Sequence, residues 1–127
     1  MLTVKTRLDK SEISGIGLFA SQVILPGDVV WKMSSISVLK ISKIQYELLS
    51  DIEQKFIKEK DYYWLDDDGN YMIPIDDGRF INHSSSPNLV ELDDNHYIAS
   101  RKIEPNEELT IDYKKLVPKE YWEAYMI

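Results

Sequence analysis

The sequence predicts a mainly β domain built from small sheets, with one inserted helix. Three observations lead there. Alternating apolar and polar residues run for about five or six positions at a time, the length of ordinary strands. Turn signals with a mechanism punctuate them: Pro26-Gly27, Asp68-Gly69 and Pro105-Asn106, where Pro pre-sets φ and Gly or Asn tolerates a positive one. Only the segment 41–60 carries a sustained helical period. Strands do not alternate regularly with helices, so a wound parallel sheet is disfavoured. The 127 residues suit one domain, 1–127, large enough to bury a core without staples.

Taken in order, Leu2 to Leu8 alternates as an edge strand does. A loop from Ser11 to Gly17 follows, with glycines at 15 and 17, and leads into a strand from Leu18 to Ile24. Pro26-Gly27-Asp28 turns the chain into a partner strand, Val29 to Met33. In 41–60, Ile41, Ile44, Leu48, Leu49, Ile52 and Phe56 recur at helical spacing, with Lys43, Gln45, Glu47, Glu53 and Lys55 between them. Ser42 can cap that helix, and its apolar stripe is expected to face the core. Residues 62–65 and 70–75 form a hairpin across Asp66 to Gly69, and 88–92 and 96–101 form another across 93–95. Pro105-Asn106 starts a strand from Glu108 to Tyr113. The tail, 114–127, has Pro118 opening a short helix that bears Tyr121, Trp122 and Tyr125.

Composition excludes several functions. There are 22 acidic against 15 basic residues, a net charge of -7. Such a surface repels phosphate, which argues against direct nucleic-acid binding. It would attract a basic protein or peptide, although solubility alone also accounts for it. Cysteine is absent, which rules out disulfides and thiolate metal sites, and two histidines cannot make a His-rich one, so no metal is expected. No run reaches the ~20 apolar residues of a membrane span. The chain reads as soluble and cytoplasmic; nothing in it excludes a nuclear or host-delivered destination.

Three constellations could carry chemistry. In Gly15-Ile16-Gly17-Leu18, two glycines let backbone approach a ligand, because no Cβ intervenes; a plain turn would also use them. A dinucleotide fingerprint fails, since no third glycine and no helix follow. Asn82-His83 lies between an apolar run and a Ser-Pro-Asn turn. It could supply a base, a ligand clamp, or a turn that satisfies its own backbone. Thr110-Ile111-Asp112-Tyr113 ends in a phenol that either packs or orients a proton in a dry pocket.

The order of these motifs resembles the SET-domain protein-lysine methyltransferases. Gly15-Ile16-Gly17-Leu18-Phe19-Ala20, then Arg79-Phe80-Ile81-Asn82-His83-Ser84-Ser85-Ser86-Pro87-Asn88, then Glu107-Glu108-Leu109-Thr110-Ile111-Asp112-Tyr113 follow that family's sequence of motifs. The likeness runs from about Val4 to Tyr113 and is to minimal, single-domain members. It implies a fold of small curved sheets (a β-clip) in which the C-terminal segment threads under a preceding loop, with 41–60 as the variable insert.

The resemblance also implies roles. S-adenosylmethionine would be the cofactor and S-adenosylhomocysteine the product. Gly15, Ile16, Gly17 and Leu18 would hold its methionine end, Gly17 because a side chain there would strike the cofactor. Asn82 and His83 would hold it through main-chain and amide contacts, with Arg79 and Phe80 shaping the pocket. Tyr113 would touch the cofactor and be the catalytic tyrosine. Ile111 and Tyr71 would line the substrate channel, and Ile111, where the family often has Phe or Tyr, would admit two or three methyl groups. The substrate would be a lysine-bearing basic protein, histone-like in charge. The family's cysteine-rich closing module is missing, so Trp122, with Tyr121 and Tyr125, would close the pocket, or a second copy of the chain would. A non-catalytic peptide-binding module and a small-amine methyltransferase are the alternatives.

Overall fold

Ser11 organises the first turn. Its hydroxyl accepts the N–H groups of Ile13 (2.9 Å) and Ser14 (3.3 Å), and its own N–H donates to the Gly15 carbonyl (2.8 Å). Gly15 takes φ +48°, in the left-handed region that suits glycine. The turn joins β1 (Thr6–Lys10) to β2 (Ile16–Ala20) as an antiparallel hairpin, Thr6 opposite Ala20 and Lys10 opposite Ile16. The expected first strand is thus displaced along the chain, and Leu2 makes only a single bridge, to Trp31. The computed structural model describes every residue except 61–62, 94–95, 117 and 127, and only the backbone of 59, 60 and 121. Tyr62, Asp94 and Asn95 of the expected hairpins therefore lie outside the described residues, as does the Tyr121 side chain.

The hairpin expected at 88–101 forms, from β8 (Leu89–Asp93) and β9 (His96–Ala99). The turn at Gly27 (φ +87°) delivers β3 (Val29–Lys32), but β3 pairs with β9 rather than with the strand before it. The reason is that both edges of β2 are taken, one by β1 and the other by residues 107–109. The hairpin from β5 (Trp64–Leu65) and β6 (Tyr71–Pro74) closes at Gly69 (φ +79°), and β4 (Val38–Ile41) adds to the other edge of β6.

The single helix expected over 41–60 is two helices. Ile41 ends β4. Ser42 caps α1 (Lys43–Glu47) in a reciprocal box with Gln45, at 3.1 and 2.9 Å. Ser50 makes the same exchange with Glu53 at the start of α2 (Asp51–Lys60), at 3.2 and 3.1 Å. Two capping boxes give two starts, each satisfying backbone donors that a continuous helix would satisfy internally. The apolar stripe does not face the core: Ile44, Leu48, Ile52 and Phe56 are 71%, 81%, 82% and 57% exposed. The insert buries Tyr46 instead, stacked on Tyr71 with ring centroids 4.1 Å apart. Gln54 ties the helices together, its amide donating to the carbonyls of Tyr46 and Leu49.

The core gathers Leu18, Ala20, Ile24, Val30, Ile81, Leu89, Ala99, Ile103, Leu109 and Ile111 from across the small sheets. Each fully buried Leu or Ile contributes roughly 1.5–3 kcal/mol. β7 (Asn82–His83) and β10 (Thr110–Ile111) pair in parallel within it, Asn82 beside Thr110 and His83 beside Ile111. The strand expected over 108–113 is therefore shorter. Tyr113 lies beyond it, opening a 3-10 turn (Tyr113–Lys115) capped by the Asp112 carboxylate on the Lys114 N–H. The expected final helix is two 3-10 turns, Lys119–Tyr121 and Ala124–Met126. Pro118 sits at the cap of the first, and Trp122 is extended between them, which stops helical continuation.

Candidate active site

Asn82, on the short strand β7, reaches back to the first hairpin. Its side-chain nitrogen lies 3.1 Å from Ser11 Oγ, 3.1 Å from the Ser14 carbonyl, 3.4 Å from the Ile16 carbonyl and 3.0 Å from Glu108 Oε1. One NH2 has two protons, so these four acceptors share them. The amide is spent on holding the glycine loop. Glu108 is the other half of that hold. A Cβ at Gly17 would lie 1.9 Å from Glu108 Oε1 and 3.0 Å from Ser11 Cβ. Any side chain at 17 would therefore displace the protein's own Glu108 carboxylate. Asn88 fixes Glu108 in turn: its side chain donates to the Glu108 carbonyl (2.8 Å) and accepts from the Thr110 N–H (2.9 Å).

His83 sets Tyr113. Its Nδ1 accepts the Tyr113 backbone N–H at 3.0 Å, which places the ring proton on Nε2 in a neutral imidazole. Burial holds the His83 pKa below the ordinary value; Asp112 opposes this and Lys114 adds to it. A ring that accepts a backbone N–H through one nitrogen and carries its proton on the other is a positioning group. The Tyr113 hydroxyl donates to the Ile81 carbonyl, so it presents its oxygen to a ligand as an acceptor. Tyr125 completes the group, 6.0 Å from the His83 ring and 6.4 Å from the Tyr113 ring, both edge-on. Burial raises the Tyr125 phenol, with Glu123 adding to it.

These pieces border one cleft of about 690 Å3, lined by Ile13, Ser14, Gly15, Ile16, Lys58, Phe80, Asn82, His83, Tyr113 and Tyr125. The three sequence motifs thus meet in one place. Gly17 and Leu18 lie behind the loop, Leu18 wholly buried in the core. Arg79, in the 3-10 turn Asp77–Phe80, lies over the Phe80 ring (4.8 Å) and does not line the cleft. Trp122 packs on the core beneath the Lys114 ammonium (5.8 Å) and does not line it either. Ile111 and Tyr71 are buried, at 1% and 7% exposure, and neither is among the residues lining this cleft.

The sequence profile of the SET domain matches residues 15–114, nearly the whole span that bears these motifs. The chain belongs to the SET-domain family. Solved SET-domain structures share its fold. A Plasmodium falciparum protein named as a histone methyltransferase superposes with a TM-score of 0.60 at 18% identity, over 86% of this chain and 96% of that one. CpSET8 from Cryptosporidium superposes at 0.58 with 24% identity, over 85% of this chain and 56% of that one, so this chain spans little more than half its length. At these identities the likeness is of fold. No curated protein matches by sequence.

The SET fold here carries a second recess, of about 370 Å3, that sequence reasoning did not find. Trp31, Met33, Trp64, Met72 and Tyr97 line it with Asp66, Asp67 and Glu91 and one cation, Lys115. Trp31 and Trp64 meet edge to face at 6.2 Å, and burial pushes the Tyr97 phenol upward. Not every acidic residue is available to a partner. Asp66 accepts the N–H groups of Asp68 and Asn70, and Asp76 accepts from the N–H groups of Leu2 and Gly78 and from Trp31 Nε1. Among the described residues no cluster of His and acidic side chains could hold a metal, and no helix is long and apolar enough to cross a membrane.

Proposed function

We propose that this SET domain is an S-adenosylmethionine-dependent protein-lysine N-methyltransferase. The observation that carries the reading is the cleft in which the glycine loop, Asn82-His83 and Tyr113 converge. Its size falls in the range of cofactor pockets. Gly15 offers main chain without a Cβ, and Ile13, Ile16 and Phe80 supply apolar walls for a purine and a thioether. When bound, the cofactor supplies an electrophilic methyl group on a sulfonium.

The residues do the rest by alignment. A lysine amine must be neutral to attack, against an ordinary pKa of ~10.4. An apolar approach and a neighbouring sulfonium both favour the neutral form. The Tyr113 oxygen, its own proton committed to Ile81, accepts an N–H of that amine and turns the lone pair toward the methyl. His83 holds the Tyr113 main chain, and Asn82 with Glu108 holds the loop that faces it. The second recess offers the faces of Trp31 and Trp64 and the carboxylates of Asp67 and Glu91, beside Lys115, to a cationic side chain of a basic substrate, histone-like in charge. With Ile at 111, more than one methyl would fit.

Calorimetry with S-adenosylhomocysteine, then transfer of labelled methyl to basic proteins with mass spectrometry of the products, tests this. Tight cofactor binding and labelled lysine are expected. Absence of binding removes the cofactor reading. Binding without transfer to protein turns the assignment toward a small-amine substrate or a non-catalytic module.

A further inference from the structure

We propose that Lys58, from the inserted helix α2, is the cation that receives the cofactor's carboxylate. The inference rests on the cofactor reading above and adds a residue to it from a part of the chain that carries no motif. Among the described residues lining the cleft, Lys58 is the one that bears a full charge. His83 is held neutral, and the Asn82 amide protons are already spent on Ser11, Ser14, Ile16 and Glu108. An amino-acid carboxylate entering this cleft loses water and needs a donor, preferably a charged one.

Lys58 is also held in place. Its ammonium sits 5.3 Å from the centroid of the Tyr46 ring, within cation–π range. Tyr46 in turn stacks on Tyr71, and both rings are buried. The ammonium therefore stands at the end of a rigid aromatic column that rises from β6, while Gln54 ties α2 to α1. In a chain of net charge -7 a cation that is alone among the described residues lining its cleft selects an anionic feature of its ligand. Of the cofactor's groups the carboxylate is the one that answers it.

The test compares two ligands by calorimetry at one ionic strength: S-adenosylhomocysteine, and S-adenosyl-3-thiopropylamine, which lacks only the carboxylate. Lys58→Gln should weaken the first by about 10-fold or more, the value of a charge-assisted hydrogen bond. It should leave the second within about two-fold, and Lys58→Arg should restore most of the loss. Thermal unfolding of each variant checks that the exposed site has not altered the fold. Equal weakening of both ligands, or none of either, overturns the assignment of Lys58 while leaving the cofactor reading intact. Failure of the unaltered protein to bind either ligand overturns both.

Discussion

Replacing Gly17 with alanine puts a carbon 1.9 Å from Glu108 Oε1 and 2.9 Å from its Cδ. Ordinary contacts begin roughly 1.5 Å further out, so one partner must move. The Glu108 main chain cannot: Glu108 bridges Phe19, and the Leu109 N–H donates to the Leu18 carbonyl at 2.8 Å. The carboxylate must therefore swing away and give up the Asn82 amide at 3.0 Å. A hydrogen bond to a charged acceptor contributes about 1.5–3 kcal/mol. With residual crowding against Ser11 Cβ, Gly17→Ala should cost about 2–4 kcal/mol. Urea unfolding followed by tryptophan fluorescence measures it, and calorimetry with S-adenosylhomocysteine reads the effect on the loop. The decisive comparison is Gly17→Ala in a Glu108→Ala background, where the carboxylate is gone and the added cost should fall below about 1 kcal/mol. An equal cost in both backgrounds, or no cost in either, refutes the argument that Glu108 imposes the glycine.

Tyr113→Phe removes the donor to Ile81 while keeping the ring against His83 and Tyr125; methyl transfer should fall by about 10²-fold or more with S-adenosylhomocysteine affinity nearly unchanged, as read by single-turnover kinetics and calorimetry. The depressed pKa of His83 means that the unfolded chain takes up its proton first as pH falls. His83 thus adds stability above the ordinary value of ~6.5 and loses it below, toward its lower folded pKa; urea midpoints at pH 7.5 and 5.5 should differ less in His83→Gln than in the parent. The exposed insert predicts that Ile52→Ser and Phe56→Ser each stay within about 0.5 kcal/mol, whereas Leu18→Ala in the core costs about 2–5 kcal/mol; a large cost at Ile52 would return the stripe to the core.

Local chemistry was legible in the sequence. Gly27 and Gly69 turn where their neighbours demand, Ser42 caps a helix, and the 88–101 hairpin forms. Pairing was less so. That β3 joins β9 follows from competition between strands distant in sequence, which no local pattern records. In the insert the apolar period was correct but its direction was not. Tyr46, out of phase with the stripe, found Tyr71 across the sheet, and the stripe was left outside. At the site, motif order brought Gly15, Asn82, His83 and Tyr113 together. The parts that position them, Ser11, Glu108 and Asn88, act through contacts made only in the folded chain. A buried Asn after Pro87 and a second acidic residue beside Glu107 were the signals available for two of them. Lys58 had none, being one lysine among several on a helix.

The parallel pairing of β7 with β10 has a consequence for how the chain is made. Asn82 is bonded to Ser11 across 71 residues and to Glu108 across 26, and His83 to Tyr113 across 30. A ribosome delivers Ser11 and Asn82 long before Glu108. The nascent chain therefore carries an Asn82 that can already hold Ser11, Ser14 and Ile16 but lacks Glu108 and Tyr113 until the last strand arrives, and contacts of such separation form slowly. Cofactor competence should appear late and at one step, when the segment through Tyr113 clears the exit tunnel. A ligand of the cleft present in the cell at that moment would bind the last assembled state and hold it, so that binding would also help to complete the fold.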